Sequence, residues 1–164
     1  MQKVGLFIIF VANQNGIGLK ISYNQAMSRF RLQLSRLCIG LVLFFNVQCA
    51  LAFLFQPEAY VGGFELSGAP GEGMVRGMGL LFLMWNVPYA VALWHPQRQR
   101  VSLYEAIVMQ ALGAVGETLL LTLTLPPGHE LLRLTVQRFM LFDYGGLLLL
   151  LLALTLSGAR GQPK

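Results

Sequence analysis

Apolar positions in this chain gather into four long runs separated by short polar or proline-containing stretches. The first runs from Leu37 to about Phe55 and stops at Gln56-Pro57. The second runs from about Gly77 to Trp94 and stops at His95-Pro96. The third runs from Leu103 to Leu125, before Pro126-Pro127-Gly128, and the fourth from about Phe139 to Leu156, before Ser157-Gly158. A helix needs roughly 20 apolar residues to cross a hydrocarbon core about 30 Å thick. Each run is of that order, and proline or glycine follows each end, as helix termini prefer. The pattern predicts an all-α integral membrane protein, a four-transmembrane-helix bundle over residues 36–158. It is flanked by an N-terminal segment, 1–35, and a short tail, 159–164.

Composition agrees with that class. The chain is 55% hydrophobic and only 12% charged, where ordinary globular chains carry about 25% charged residues. Lysine and arginine placement orients the bundle. Lys3, Lys20, Arg29, Arg31 and Arg36 precede the first span, Arg98 and Arg100 lie between the second and third, and Arg160 and Lys164 follow the fourth. The other side holds Arg76, Arg133 and Arg138 against Glu58, Glu65, Glu72 and Glu130. The first side is expected to be cytoplasmic, with both termini inside a plasma or inner membrane. The sequence pI of about 9.6 then reflects topology, and no aromatic-basic platform points to nucleic acid.

The N-terminal segment departs from the pattern. Val4 to Ala12 is apolar but too short to span, and Asn13 to Gly18 reads as a loop. Met27 opens a second plausible beginning, so residues 1–26 are expected to be an upstream misassigned start or a disordered tail, with a short interfacial helix as the alternative. Basic residues ahead of the first run and Ala50-Leu51-Ala52 at its end also resemble a cleavable signal. Continued apolar character through Phe55 argues for an uncleaved span. The loop from Gln56 to Val75, rich in glycine, is expected to be irregular, with Tyr60, Phe64 and Leu66 at the interface or folded over the bundle. Ser102-Leu103-Tyr104-Glu105 fits a capping box opening the third helix.

The spans carry few polar residues, and their spacing is informative. Ala106, Gln110, Gly113, Glu117 and Thr124 share one stripe at 3.6 residues per turn, opposite Val108, Val115 and Leu119. Gly79, Asn86, Ala90 and Leu93 form a similar stripe in the second span, beside Tyr89. There Pro88 removes a backbone donor, frees the Met84 carbonyl and predicts a kink. Gly73 and Gly77 have the small-x-x-x-small spacing of close helix contacts. Asn46 lies in the first span near Cys49 and Ala50, with Gln48 about 200° away, so both cannot face one interior line. Asp143 and Gly146 share a face of the fourth.

At about 1.5 Å per residue, Glu117, Asn86 and Asn46 lie roughly 12–14 Å from the outer helix ends and Asp143 about 6 Å. The reading is an outward-facing intramembrane polar pocket lined by Glu117, Asn86, Asn46, Gln110 and Asp143, with Arg76 at its mouth. An ionisable residue at membrane depth is a site hypothesis by default. The competing reading is that these side chains bridge helices through hydrogen bonds. Arg133 and Arg138 are expected as interfacial anchors, and Trp85, Trp94, Tyr104 and Tyr144 as packing or belt residues.

Cys38 and Cys49, eleven residues apart on one helix, would lie about 16 Å apart, too far for a disulfide. His95 and His129 fall on opposite sides and cannot share a metal or haem. No cofactor and no metal is expected.

Four short-looped spans, a Gly/Pro-rich loop after the first and Arg76-Gly77-Met78-Gly79 opening the second resemble the small bacterial four-helix membrane proteins of the DoxX-like group. The resemblance covers about Arg36 to Gly158 and implies the fold. It transfers no site residue. The expected function is a non-enzymatic membrane accessory or apolar-ligand-binding protein, whose partners are the bilayer, a small apolar molecule or another membrane protein, or a second copy in a homodimer. The alternatives are a small proton-coupled transporter using Glu117 and a membrane enzyme acting on a lipid-soluble substrate. Only the enzyme requires Glu117 and Asp143 to converge on one substrate as acid and base.

Overall fold

The computed structural model describes the backbone of residues 2–158 and the side chains of residues 25–158. The expectations for the tail with Arg160 and Lys164 lie outside the described residues, as do those for the side chains of residues 2–24. The chain forms α1 (Gln2–Phe55), α2 (Gly68–Trp85), α3 (Val87–Trp94), α4 (Arg100–Leu119) and α5 (Glu130–Ser157). A π-helical turn, Leu120–Thr124, ends α4, and two short 3-10 turns, Pro57–Ala59 and Val61–Phe64, follow α1. Among the described residues, four helices are long and apolar enough to cross a membrane: Gln25–Phe55, Gly68–Trp94, Arg100–Thr124 and Glu130–Ser157.

Several boundaries differ from the hydropathy pattern. The backbone of α1 is helical through Asn13 to Gly18, where a loop was expected. Glycine costs a helix only about 1 kcal/mol relative to alanine, and no proline interrupts that stretch. The helix of α2 begins at Gly68, not near Gly77, so the glycine-rich loop is shorter than its composition predicts. Ser67 is extended (φ −151°) and marks the start. Pro70 falls in the first turn, where its missing N–H removes no helical hydrogen bond. The helix of α5 begins at Glu130, nine residues before Phe139, just after Gly128 turns the chain at φ +96°. The expected capping box is also corrected. The helix of α4 starts at Arg100, with the Leu103 N–H already donating to the Gln99 carbonyl at 3.1 Å. Ser102 is therefore interior and caps nothing.

The bundle closes differently at its two ends. At the end carrying Trp94, an aliphatic core joins Ile39, Val42, Leu103, Ala106, Leu150 and Ala153. Three arginines cover exposed helix ends there. Arg36 donates to the Trp94 carbonyl at 2.8 Å, Arg31 to Thr155 at 3.1 Å and Arg100 to Ser157 at 3.5 Å. Cations at helix C-termini satisfy free carbonyls and suit the helix dipole. The hydroxyl of Ser35, fully buried, donates to the Ala153 carbonyl at 2.9 Å and ties α1 to α5.

At the opposite end the closure is aromatic. Phe53, 1% exposed, meets Tyr60, Phe64, Phe82 and Phe139 at centroid distances of 4.9–6.1 Å. Tyr60 and Phe64 thus fold the 56–67 connection over the bundle. The connection is tied down on α5: Thr135 Oγ1 donates to the Gly63 carbonyl at 2.7 Å, and the Glu65 carboxylate accepts from His129 and from the Leu132 N–H.

The close contact of α1 with α2 rests on Gly79. A Cβ there would sit 2.8 Å from the Ala50 carbonyl oxygen and 3.0 Å from Phe53 Cβ. Gly73 and Gly77, whose spacing predicts a helix contact, have open space around them instead. Helix rotation, which spacing alone does not encode, put Gly79 on the contact line.

Candidate functional site

The second span breaks at Asn86, between α2 and α3. Pro88 is the cause, since it has no N–H and its ring crowds the preceding turn. The side chain of Asn86 donates through Nδ2 to the Phe82 carbonyl at 2.6 Å, and not to the Met84 carbonyl. The break also shifts the helical phase. Tyr89 and Ala92 turn inward, whereas Ala90, expected in the inward stripe, is exposed.

Tyr89 starts a polar chain across three helices. Its hydroxyl lies 2.6 Å from Gln110 Oε1 and 3.1 Å from the Ala106 carbonyl. Gln110 Nε2 in turn donates to Asp143 Oδ1 at 2.7 Å. Tyr89 and Gln110 are almost fully buried, and buried polar groups normally find such partners. The chain fits because two glycines leave room for it. Asp143 lies over Gly113, where a Cβ would overlap its carboxylate. A Cβ on Gly146 would stand 2.7 Å from Gln110 Nε2. Asp143 and Gly146, one helical turn apart on α5, thus embrace Gln110 and Gly113 on α4.

Between the aliphatic and aromatic ends lies a cavity of about 610 Å³. Its walls come from all the spans, and it adjoins the polar chain. Asn46, Asn86, Gln110, Glu117 and Asp143 all line it. Arg76, expected at the mouth, does not. It points to Glu72, 3.7 Å away on the same helix and exposed. The arginine that borders the cavity is Arg138, read from the sequence as an interfacial anchor. The early start of α5 brings it there, because Arg138 lies inside a helix and not ahead of one. Trp85, expected as a packing or belt residue, also lines the cavity.

The wall from α1 explains how Asn46 and Gln48 both border the space. It centres on Phe45, Cys49 and Ala52, at helical spacing, with Asn46 and Gln48 on its two flanks. The cavity is broad, so these residues need not share an interior line. Cys49 and Cys38 are both free thiols. Aromatic side chains recur around the wall: with Phe45 come Tyr60, Phe82, Trp85, Phe139 and Phe142. The stripe of α4 reaches the cavity through Gln110, Gly113 and Glu117, while Thr124 is exposed because the π turn alters the helical phase. Val108, Val115 and Leu119, opposite the stripe, are exposed.

Two buried oxygens in this lining have no protein partner, Asn86 Oδ1 and Glu117 Oε2. Asn86 is only 6% exposed. An unpaired buried acceptor costs about 1–3 kcal/mol, more when charged. Helix α2 packs on α1, and α4 on α3 and α5, with no extensive α2–α4 contact. Trp85 on α2 and Leu112 on α4 line the cavity while remaining more than half exposed. No cluster of three or more metal-ligating side chains occurs among the described residues.

Compared with known proteins, the chain matches no family model, no curated protein and no solved structure.

Proposed function

We propose that this chain is a multi-pass protein of a plasma or inner membrane, with both termini cytoplasmic, that binds a small apolar ligand without transforming it. The four apolar helices and the lysine and arginine distribution support the location. The same architecture supports the proposed kinship with the DoxX-like group. The cavity carries the binding reading: about 610 Å³, with a mostly apolar and aromatic wall into which each span places polar groups. Small-molecule sites have this character, typically about 300–1,000 Å³ and apolar with few placed polar groups. The exposed faces of Trp85 and Leu112, on helices that make no extensive contact with each other, support entry of the ligand from the bilayer.

The chain has two tryptophans, which makes the test direct. Trp94→Phe leaves Trp85, on the cavity wall, as the sole reporter. Neutral aromatic probes titrated into that protein in lipid nanodiscs should change its fluorescence saturably. Gly116 lines the cavity with open space around its Cβ position, so Gly116→Leu should fill the space and abolish the change while the protein stays folded. Unchanged titration in Gly116→Leu would refute the binding reading.

One observation favours a second reading, a membrane enzyme on a lipid-soluble substrate. Glu117 and Asp143, the pair it needs, border the same cavity. Product formation that Asp143→Asn abolishes with binding intact would select it.

A further inference from the structure

We propose that the ligand is a lipophilic amine in its ammonium form, held with its N–H groups on the Glu117 carboxylate and its apolar body against the aromatic wall. The inference rests on the cavity being a ligand site and names what enters it.

Three observations lead there. First, both unpartnered atoms are oxygens. One N–H of Asn86 Nδ2 is taken by the Phe82 carbonyl, and the capacity left over in the lining is that of acceptors, which call for a donor. An alkyl or aryl ligand supplies none. An ammonium supplies up to three. Second, the carboxylates that line the cavity outnumber the cations. Glu117 and Asp143 stand against Arg138 alone. Arg138 is exposed and makes no ion pair within 4.0 Å among the described residues, so it neutralises neither. Asp143 has its oxygen on Gln110, which leaves Glu117 as the acid without a protein partner. A charge at this depth is tolerated when paired, and a cationic headgroup supplies the pair. Third, the wall is rich in ring faces. Trp85 adjoins Asn86 in sequence and Phe82 lies one turn before it, and Phe142 and Phe139 stand likewise to Asp143. Cations are attracted to such faces, most strongly to tryptophan.

The arrangement also excludes neighbouring ligand classes. A carboxylate ligand would meet Glu117 and Asp143 with like charge. A quaternary ammonium keeps the charge and the ring contacts but has no N–H to donate to the Glu117 carboxylate, so it should bind less well than a primary amine of the same body.

The test compares ligands on one protein. A phenylalkylamine, the corresponding alcohol and the trimethylammonium analogue are titrated into the Trp94→Phe protein in nanodiscs of neutral lipid, with Trp85 fluorescence as the signal. The expected result is an amine that binds at least about tenfold more tightly than the alcohol, consistent with charge-assisted hydrogen bonds, with the trimethyl analogue in between. In Glu117→Gln, which keeps the shape, the amine's advantage should vanish while the alcohol still binds. That retained binding shows the variant is folded. Equal binding of amine and alcohol to the unsubstituted site would overturn the amine assignment and leave the cavity reading standing. An undiminished amine preference in Glu117→Gln would overturn it too. If no ligand perturbs Trp85, the cavity reading itself fails.

Discussion

Gln110 donates its side-chain amide to Asp143 at 2.7 Å across the contact between α4 and α5, and the contact is close because positions 113 and 146 carry no side chain. A carboxylate that the sequence places near a helix end is thereby drawn onto the neighbouring helix. Asp143 becomes part of a structural chain, and Glu117, one turn beyond Gly113, lines the cavity with one buried oxygen left unpartnered. Of the two readings that compete in the sequence, bridging describes Asp143, and binding is the role proposed for Glu117.

Removing the start of that chain should be costly. Tyr89→Phe deletes the hydroxyl donating to Gln110 and strands a buried acceptor. A loss of about 1–3 kcal/mol is expected, read as a lower midpoint of thermal unfolding in detergent. In a double-mutant cycle with Gln110→Leu the two losses should not add, since both break one network. Additive losses would show that the hydroxyl and amide act independently.

Alanine at two glycines of α2 should act in opposite directions. Gly79→Ala drives a Cβ into the Ala50 carbonyl and Phe53, and overpacking of this kind costs about 1–3 kcal/mol. Gly77→Ala meets open space and should stabilise by about 0.5–1 kcal/mol through reduced backbone freedom. The same unfolding experiment ranks them, and a stable Gly79→Ala would mean that α1 and α2 do not meet there.

The tie between Glu65 and α5 should fail in acid. The hydrogen bond from His129 holds the Glu65 carboxyl below its ordinary 4.5. Partial burial opposes this, and the Leu132 N–H adds to it. A carboxyl depressed in the folded state stabilises above its unfolded value, and that contribution is lost as pH falls through the folded one. Limited proteolysis of the 56–67 connection should therefore accelerate below about pH 4.5. In Glu65→Gln cleavage should already be fast near neutrality and lose that acid step. An identical acid profile in both proteins would place the sensitive group elsewhere.

The proposed topology predicts opposite labelling at the two bundle ends. Glu58 and Gln99 are both exposed. With Cys38 and Cys49 replaced by alanine, Glu58→Cys should react with an impermeant maleimide added outside intact cells, and Gln99→Cys only after permeabilisation. Reaction of both from outside would overturn the four-span arrangement.

Hydropathy along the chain was sufficient to locate four helices capable of spanning a membrane, because a run of apolar residues reports its length without any knowledge of neighbours. Periodicity brought Gln110 and Glu117 onto one face of α4, since helix geometry fixes that relation locally. Helix ends were less legible. Glycines at 68–77 and the polar residues before Phe139 look like loop residues, yet proline in a first turn and an exposed helical surface permit α2 and α5 to begin early. Ser102 fits a capping pattern, but the helix had started two residues before it. Rotation and approach of helices were not encoded locally at all. Only packing decided that Gly79 and not Gly77 meets α1, and that Arg138 and not Arg76 borders the cavity. Packing likewise decided that Asp143 is satisfied by Gln110 while Glu117 Oε2 and Asn86 Oδ1 are not. Length and period are properties of one segment, whereas a cavity and an unpaired oxygen are defined by what several segments leave unfilled.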